Sequence, residues 1–216
     1  MFHVFRSSKR LSPTSRLRAN SRPTSSYVVL RVQVVGCSGL PVAVYEGTID
    51  PFVTVTLGLA SFKTPVARTP NPIFNVKDTT FDFTISNTAA PGKLKFVVWD
   101  QDWLGKDYLG EATLGVEDWF KFEDSQEPSY AWSTAETLAA FSTPLVSTRP
   151  SQASQGEIIL RLGFVDINGK DEDFRELYDR LKGLSGNLKH SPATTPTSNT
   201  AASVPGDGDN LATNAT

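Results

Sequence analysis

The chain has 216 residues, of which 39% are hydrophobic, and a formal net charge of -2. This length suits one domain of ordinary size with flanking segments, or two very small domains. Apolar runs never approach the roughly 18 residues of a membrane-spanning helix, and the first residues lack the continuous apolar segment of a secretory signal. The single cysteine, Cys37, excludes an internal disulfide and is expected to be a small buried residue in a reducing compartment.

Charge is distributed unevenly along the chain. Six of the 21 Lys and Arg residues lie in residues 1–26, which contain no acid, so 15 bases face all 23 acids in the remainder. Residues 1–26 are rich in Ser, Arg and Pro, which predicts a disordered basic arm. A mitochondrial transit peptide has the same composition and is the alternative. Residues 185–216, rich in Ser, Thr, Ala, Pro and Asn, are predicted to form a disordered tail.

Short runs with a period of two dominate the middle of the chain and predict β-strands, because alternate side chains of a strand face opposite sides of a sheet. In chain order the predicted strands are 27–37, 50–58, 61–67, 79–86, 93–100, 108–116, a weaker 140–147, and 157–165. Pro65 indicates that the third strand lies at a sheet edge. The predicted strands do not alternate with predicted helices, which argues against a doubly wound α/β fold. The expected fold is therefore all-β, an eight-stranded antiparallel β-sandwich with disordered ends.

One segment, at about 170–183, has the period of a helix instead. Its apolar residues fall on one helix face: Phe174, Leu177, Tyr178 and Leu181. Acidic residues at its start and basic residues near its end complement the helix dipole. We expect this C-terminal helix to pack on the sandwich within a folded domain of residues 27–184; the alternative is a helix that docks a protein partner. Residues 117–139 are predicted to be an insertion with about one helical turn.

The stretch VVWDQDWLGKDYLG, at 97–110, concentrates aspartates at the end of an apolar run. Asp100 and Asp102 point to the same side of a strand, and Asp107 follows a short turn at Gly105. Carboxylates brought this close repel one another unless they are neutralised. Calcium, which prefers several oxygen ligands, is a natural partner. Aspartates are also common in turns for their capping ability, so the pattern alone leaves both interpretations open.

Several motifs, in the right order, resemble the C2 domain family of calcium-dependent phospholipid-binding sandwiches. VQVVGCSGL followed by GTIDPFVTVTLG resembles the first strand, first loop and second strand of that family, and KTPVARTPNPIFNV resembles its Lys-Thr and Asn-Pro block. VVWDQDWLGKDYLGE resembles the third loop, and GEIILRLGF the last strand. The resemblance covers roughly residues 27–165. It implies a non-catalytic C2 module that binds peripherally to anionic phospholipid membranes.

The resemblance also implies a calcium site between the first and third loops. The expected ligands are Asp50, Asp100, Asp102 and Asp107. The family's first ligand position is occupied by Val44, and Glu46, two residues further on, is the auxiliary candidate. Loss of one ligand is expected to weaken calcium binding. Since some members of the family bind membranes without calcium, the resemblance leaves calcium as an optional cofactor.

The tips of the same loops are expected to face the bilayer. The candidates for insertion into the interface are Val42, Tyr45, Trp103 and Leu104. Tryptophan favours the headgroup region because its ring is apolar and its N–H still forms a hydrogen bond. The candidates for contact with an anionic lipid headgroup are Lys63, Arg68, Lys93 and Lys95. The alternative for these four bases is an ordinary solvated surface.

The sequence offers no constellation of catalytic residues, so the chain is predicted not to be an enzyme. Both histidines, His3 and His190, fall in the predicted disordered ends, and no phosphate loop or zinc spacing occurs. DWF, STRP, LGFV and DFRELYDRL, in this order, resemble the region that follows the C2 domain in fungal phosphatidylserine decarboxylases, so the chain also resembles, more weakly, the C2 region of those enzymes. The alternative function is therefore a calcium-independent protein-interaction module, or a regulatory region related to such a lipid enzyme. We expect a cytoplasmic, peripheral membrane location and no nucleic acid partner.

Overall fold

A computed structural model describes residues 27–41, 49–120, 129–133, 138–150, 152–167 and 173–188. The strands are β1 (Tyr27–Ser38), β2 (Pro51–Leu57), β3 (Ala60–Lys63), β4 (Thr80–Ser86), β5 (Leu94–Gln101), β6 (Lys106–Leu114), β7 (Phe141–Pro144) and β8 (Glu157–Val165). They form two antiparallel sheets. Sheet A has the strand order β4-β1-β8-β7, and sheet B has the order β3-β2-β5-β6. The predicted eight-stranded antiparallel sandwich is confirmed.

The period-two alternation places the core between the two sheets. Val53 and Val55 of β2 lie opposite Val98 and Phe96 of β5, and all four side chains are buried. Sheet A contributes the buried residues of β1, among them Leu30, to the same core. Cys37 is also buried there, as predicted, and burial raises the pKa of its thiol to about 12. At neutral pH the thiol is therefore protonated and behaves as a small apolar side chain.

The helix α1 (Phe174–Leu188) covers one end of the sandwich. Leu177 and Leu181 are fully buried, and the hydroxyl of Tyr178 donates a hydrogen bond to the carbonyl of Val116 at 2.9 Å. Since the apolar face of the helix packs against the sandwich, that face is not available to a protein partner. The packing prediction is thus correct, and a partner docked on this face is not supported.

The helix begins and ends later than the sequence indicated. Asp173 Oδ1 accepts the backbone N–H groups of Arg175 and Glu176 at 2.9 and 3.2 Å, and such a cap defines the start of a helix. At the other end α1 continues past Gly183 to Leu188. Residues 185–188 of the predicted disordered tail are therefore helical.

The predicted insertion at 117–139 is described only in part. It begins with a 3-10 turn at Val116–Asp118, which is the single turn of helix found in its described residues. Further on, the N–H of Trp132 donates to the carbonyl of Phe164 and the N–H of Phe164 donates to the carbonyl of Tyr130, both at 2.7 Å. These bonds attach the insertion to β8. The basic arm at 1–26 and the tail from 189 onwards lie outside the described residues.

Within the part of the chain that the structure describes, no helix is long and apolar enough to cross a bilayer. Two ends of the sandwich can be distinguished. The loop end carries the described residues of four connections, 39–41 with 49–50, 64–79, 102–105, and 145–150 with 152–156. The helix end is covered by α1 and carries the turns at 58–59 and 87–93.

Candidate functional site at the loop end

Three of the predicted calcium ligands meet where sheet B reaches the loop end. Asp100, near the end of β5, is the cross-strand partner of Pro51 on one side and of Asp107 on the other. Cross-strand partners lie about 5 Å apart at their Cα atoms. Asp50 directly precedes Pro51, so the antiparallel register brings Asp50, Asp100 and Asp107 to the same end of sheet B. Asp102 follows in the turn between β5 and β6.

Asp100 has a structural role in this arrangement. Its Oδ1 atom accepts the backbone N–H of Asp50 at 2.7 Å, and the backbone N–H of Gln101 donates to the carbonyl of Asp50 at 3.0 Å. These two bonds tie the end of the first connection to β5. One carboxylate oxygen of Asp100 is therefore already engaged in holding the two loops together.

The aspartates do not form a closed metal cage. Among the described residues, no three Asp, Glu, His or Cys side chains are grouped closely enough to hold a metal ion. The other predicted ligand, Glu46, and the predicted interfacial residues Val42 and Tyr45 belong to 42–48, which lies outside the described residues. The donor set that the structure describes thus does not by itself fit a calcium ion.

The turn between β5 and β6 presents apolar side chains to solvent. Trp103 is 91% exposed and Leu104 is 79% exposed. Neighbouring exposed apolar side chains often mark a site of contact with another surface. The structure therefore places two of the four predicted interfacial residues at the tip of the loop end.

An aromatic row crosses the outer face of sheet B just below these loops. Trp99 lies opposite Phe52 of β2 and Tyr108 of β6, and the rings of Trp99 and Tyr108 meet edge to face at 5.9 Å. The indole N–H of Trp99 donates to Thr54 Oγ1 at 3.1 Å, so the ring orientation is set by a hydrogen bond. The aromatic row is defined by Phe52, Trp99 and Tyr108.

A basic side chain lies over each ring of the aromatic row. Nζ of Lys63 lies 4.8 Å from the ring centre of Phe52, and Nζ of Lys106 lies 3.9 Å from that of Trp99. The guanidinium carbon of Arg149 lies 4.2 Å from the ring centre of Tyr108 and 5.2 Å from that of Trp99. Such contacts contribute about 0.5–2 kcal/mol each and orient the cation. The row thus gathers positive charge beside the exposed turn.

Lys106 and Arg149 were not among the residues chosen from the sequence. Lys106 could have been chosen from the sequence, because it directly follows the predicted turn. In the structure it faces Gln101 across the β5–β6 pair. Arg149 is brought in by tertiary structure alone. Its loop is fixed to the edge of β6 by two backbone bonds between Glu111 and Val146, at 2.8 and 2.9 Å, and by the hydroxyl of Tyr108, which donates to the carbonyl of Val146 at 3.2 Å.

The four bases predicted to contact a headgroup lie in different places. The ammonium group of Lys63 lies over the ring of Phe52. Arg68 follows Ala67, whose N–H donates to the carbonyl of Pro51 at 2.9 Å. These two bases lie towards the loop end.

The other two bases, Lys93 and Lys95, lie nearer the helix end. Lys95 shares the outer face of sheet B but pairs with the buried Glu111 at 3.0 Å. Lys93 lines a pocket with Val116 and Ser185 beside α1. The structure therefore separates the predicted basic surface into two parts.

The structure is thus an antiparallel eight-stranded sandwich whose loop end carries aspartates, bases and exposed apolar residues. The family model of the C2 domain matches residues 28–134. This part of the chain belongs to the C2 domain family, as the sequence motifs predicted.

Relatives share this region but are much longer. The chain is 30% identical over 107 residues to Synaptotagmin-4 of Arabidopsis thaliana, covering 45% of this chain and 19% of that protein. It is 29% identical over 128 residues to Synaptotagmin-5 of Arabidopsis thaliana, covering 52% of this chain and 22% of the relative. The chain thus spans about a fifth of the length of these relatives. Among solved structures, a C2 domain of plant Extended Synaptotagmin 1 is similar, with 23% identity, a TM-score of 0.47, and coverage of 64% of this chain and 94% of that domain.

Proposed function

We propose that this chain is a non-catalytic module that attaches peripherally to anionic phospholipid membranes through the loop end of its C2 domain. The observation that carries the proposal is the pair of apolar side chains, Trp103 and Leu104, held in solvent at the tip of the β5–β6 turn. Burial of such side chains contributes about 1.5–3 kcal/mol each. The indole N–H of Trp103 can still form a hydrogen bond in the headgroup region.

The cations on the aromatic row support the choice of an anionic surface. Lys63, Lys106 and Arg149 lie on one face of sheet B, close to the exposed turn. A basic side chain near an anionic leaflet contributes about 1 kcal/mol, and this contribution declines as salt is added. The apolar tip therefore provides insertion, and the bases beside it provide attraction to the negative surface.

The proposed attachment to the membrane does not require calcium. The described carboxylates leave the cage open, and Asp100 already uses one oxygen to hold Asp50. Calcium-assisted binding requires further ligands from 42–48, where Glu46 is the candidate. It is therefore tested as a separate condition.

The test is cosedimentation of the full chain with vesicles of phosphatidylserine and phosphatidylcholine, and with vesicles of phosphatidylcholine alone. Each is measured with calcium and with a chelator. We expect binding to the phosphatidylserine vesicles that weakens with added salt. Binding with the chelator present supports attachment by the apolar turn and the bases. Binding only with calcium would show that the carboxylates are completed by the first loop, and Asp102→Asn should then abolish it.

Two leucines give a matched control. Leu104 at the loop end and Leu59 at the helix end are both exposed, at 79% and 106%. Leu104→Ala is expected to weaken vesicle binding about tenfold or more, whereas Leu59→Ala should leave it unchanged. Equal effects of the two substitutions would contradict attachment through the loop end. Absence of binding in every condition would favour the alternative of a protein-interaction or regulatory module.

A further inference from the structure

The turn that carries Trp103 and Leu104 is closed by a side chain from the strand before it. Nε2 of Gln101 donates to the carbonyl of Gly105 at 2.8 Å and to the carbonyl of Asp102 at 3.0 Å. The backbone N–H of Asp102 also donates to the carbonyl of Gly105, at 3.0 Å. A primary amide has two N–H donors, so Gln101 uses both to connect the first and last residues of the turn.

The clamp acts on a turn whose two tip residues make little contact with the rest of the protein. Gly105 does not have a positive φ angle, and a side chain built on it would meet nothing within 4 Å. The two residues at the tip are exposed and pack on little of the protein. The conformation of Trp103 and Leu104 therefore depends on the hydrogen bonds at the base of the turn.

We propose that Gln101 is a positioning residue whose side-chain amide holds the Asp102–Gly105 turn in the shape in which Trp103 and Leu104 enter the bilayer interface. This inference rests on the proposed function. Ordering a flexible segment on binding reduces affinity, and a segment ordered beforehand avoids that reduction. The clamp thus acts before the membrane is reached, and Gln101 need not contact lipid itself.

We expect the sandwich to keep its stability without this clamp. Gln101 is half-buried at the rim of sheet B, where its own backbone N–H bonds to Asp50 whatever its side chain is. If the amide is removed, water can reach the carbonyls of Asp102 and Gly105. The expected consequence is a looser turn on an unchanged sandwich.

The test is Gln101→Met in the full chain, which keeps the length of the side chain and removes both donors. We expect binding to phosphatidylserine vesicles to weaken about three- to tenfold, with an unchanged melting temperature. Gln155→Met is the matched control. Gln155 is exposed in the β7–β8 connection at the same end of the molecule, so its substitution adds the same apolar surface without touching the turn, and it should not weaken binding.

A double-mutant cycle separates positioning from a general structural effect. If Gln101 acts through the turn, Gln101→Met should cost much less in a chain that already carries Trp103→Ala and Leu104→Ala, because no apolar tip is left to position. An undiminished cost in that background would overturn the proposal. So would equal binding of the Gln101→Met variant and the unmodified chain. Failure of the unmodified chain itself to bind would instead contradict the proposed function.

Discussion

The two ends of the sandwich use the same residue types in opposite ways. At the helix end, Trp119, Leu177 and Leu181 are completely buried. At the loop end, Trp103 and Leu104 are almost completely exposed. These three buried side chains therefore stabilise the fold, while Trp103 and Leu104 are available to another surface.

The distribution of hydrogen bonds follows the same division. At the helix end, Tyr178 donates to the carbonyl of Val116 within the packed interior. At the loop end, Gln101 binds the carbonyls of a turn that faces solvent. Side-chain hydrogen bonds thus complete the core at one end and shape an exposed turn at the other.

Leu181→Ala should have the strongest effect, and it tests the structural role of the helix end. Removal of a fully buried leucine should lower the free energy of unfolding by about 2–5 kcal/mol, as measured by urea denaturation. Leu104→Ala is the same change at an exposed site and should alter stability by less than about 0.5 kcal/mol. Comparable losses in the two variants would contradict the comparison of the two ends.

Trp103→Ala tests the loop end directly. Vesicle affinity should fall about ten- to a hundredfold, since the indole contributes about 1.5–3 kcal/mol when it enters the interface. The urea denaturation midpoint should stay the same because the side chain is 91% exposed. Loss of stability without loss of affinity would indicate that Trp103 packs on its neighbours instead.

Alkaline pH should weaken the helix end selectively. Burial, together with the charges of Tyr130 and Asp118, raises the pKa of Tyr178 to about 12, whereas an unfolded tyrosine ionises at about pH 10. The unfolded chain therefore loses its proton first. The corresponding stability is complete below about pH 10 and is lost, up to about 2 kcal/mol, as the pH rises through about 12. Urea denaturation of Tyr178→Phe across this range should show a smaller decline, and an equal decline would contradict the assignment.

Arg149→Gln tests the contribution of the aromatic row. Binding to phosphatidylserine vesicles should weaken about fivefold at low salt, and the difference should shrink as salt is added. Arg175→Gln, at an exposed arginine on α1, is the matched change at the helix end. If it weakens binding as much as Arg149→Gln does, the attraction comes from overall charge and not from the row.

Two glycines should respond to substitution in opposite directions. A Cβ at Gly183 in α1 would meet nothing within 4 Å, so Gly183→Ala should stabilise the chain by up to about 1 kcal/mol through its helix propensity. Gly156 has a φ of +92°, and its Cβ would lie 2.5 Å from the carbonyl oxygen of Ser38. Gly156→Ala should therefore destabilise the chain, and thermal melting should shift in opposite directions for the two variants.

Much of the fold could be predicted because it is encoded locally. The alternation in 79–86 or 157–165 indicates both a strand and its buried face, and β4 and β8 occur there within one residue. Pro65 correctly indicated an edge, since β3 ends at Lys63 at the side of sheet B. The end of α1 was placed too early because Gly183 and Gly186, poor helix formers, lie within the helix.

The candidate site could be predicted less completely. Asp100, Asp102, Asp107 and Trp103 lie close together in the sequence, so their common location at the loop end could be predicted from it. The grouping of Lys106 and Arg149 on the aromatic row could not be predicted from the sequence. Arg149 belongs to the β7–β8 connection, and its position depends on how that loop is bound to β6. The pairing of Lys95 with Glu111 depends on strand register in the same way.

Periodicity and motif order, which are properties of neighbouring residues, were enough to specify the eight strands, the helix, the C2 family and the apolar tip at Trp103 and Leu104. What each of these groups does depends on the three-dimensional fold. The fold engages Asp100 with the backbone of Asp50, divides the predicted basic surface, and brings Arg149 onto the aromatic row. Hydrogen bonds and cation–π contacts act over a few ångströms, and the packing of the sandwich and its loops sets which distant residues come within that range.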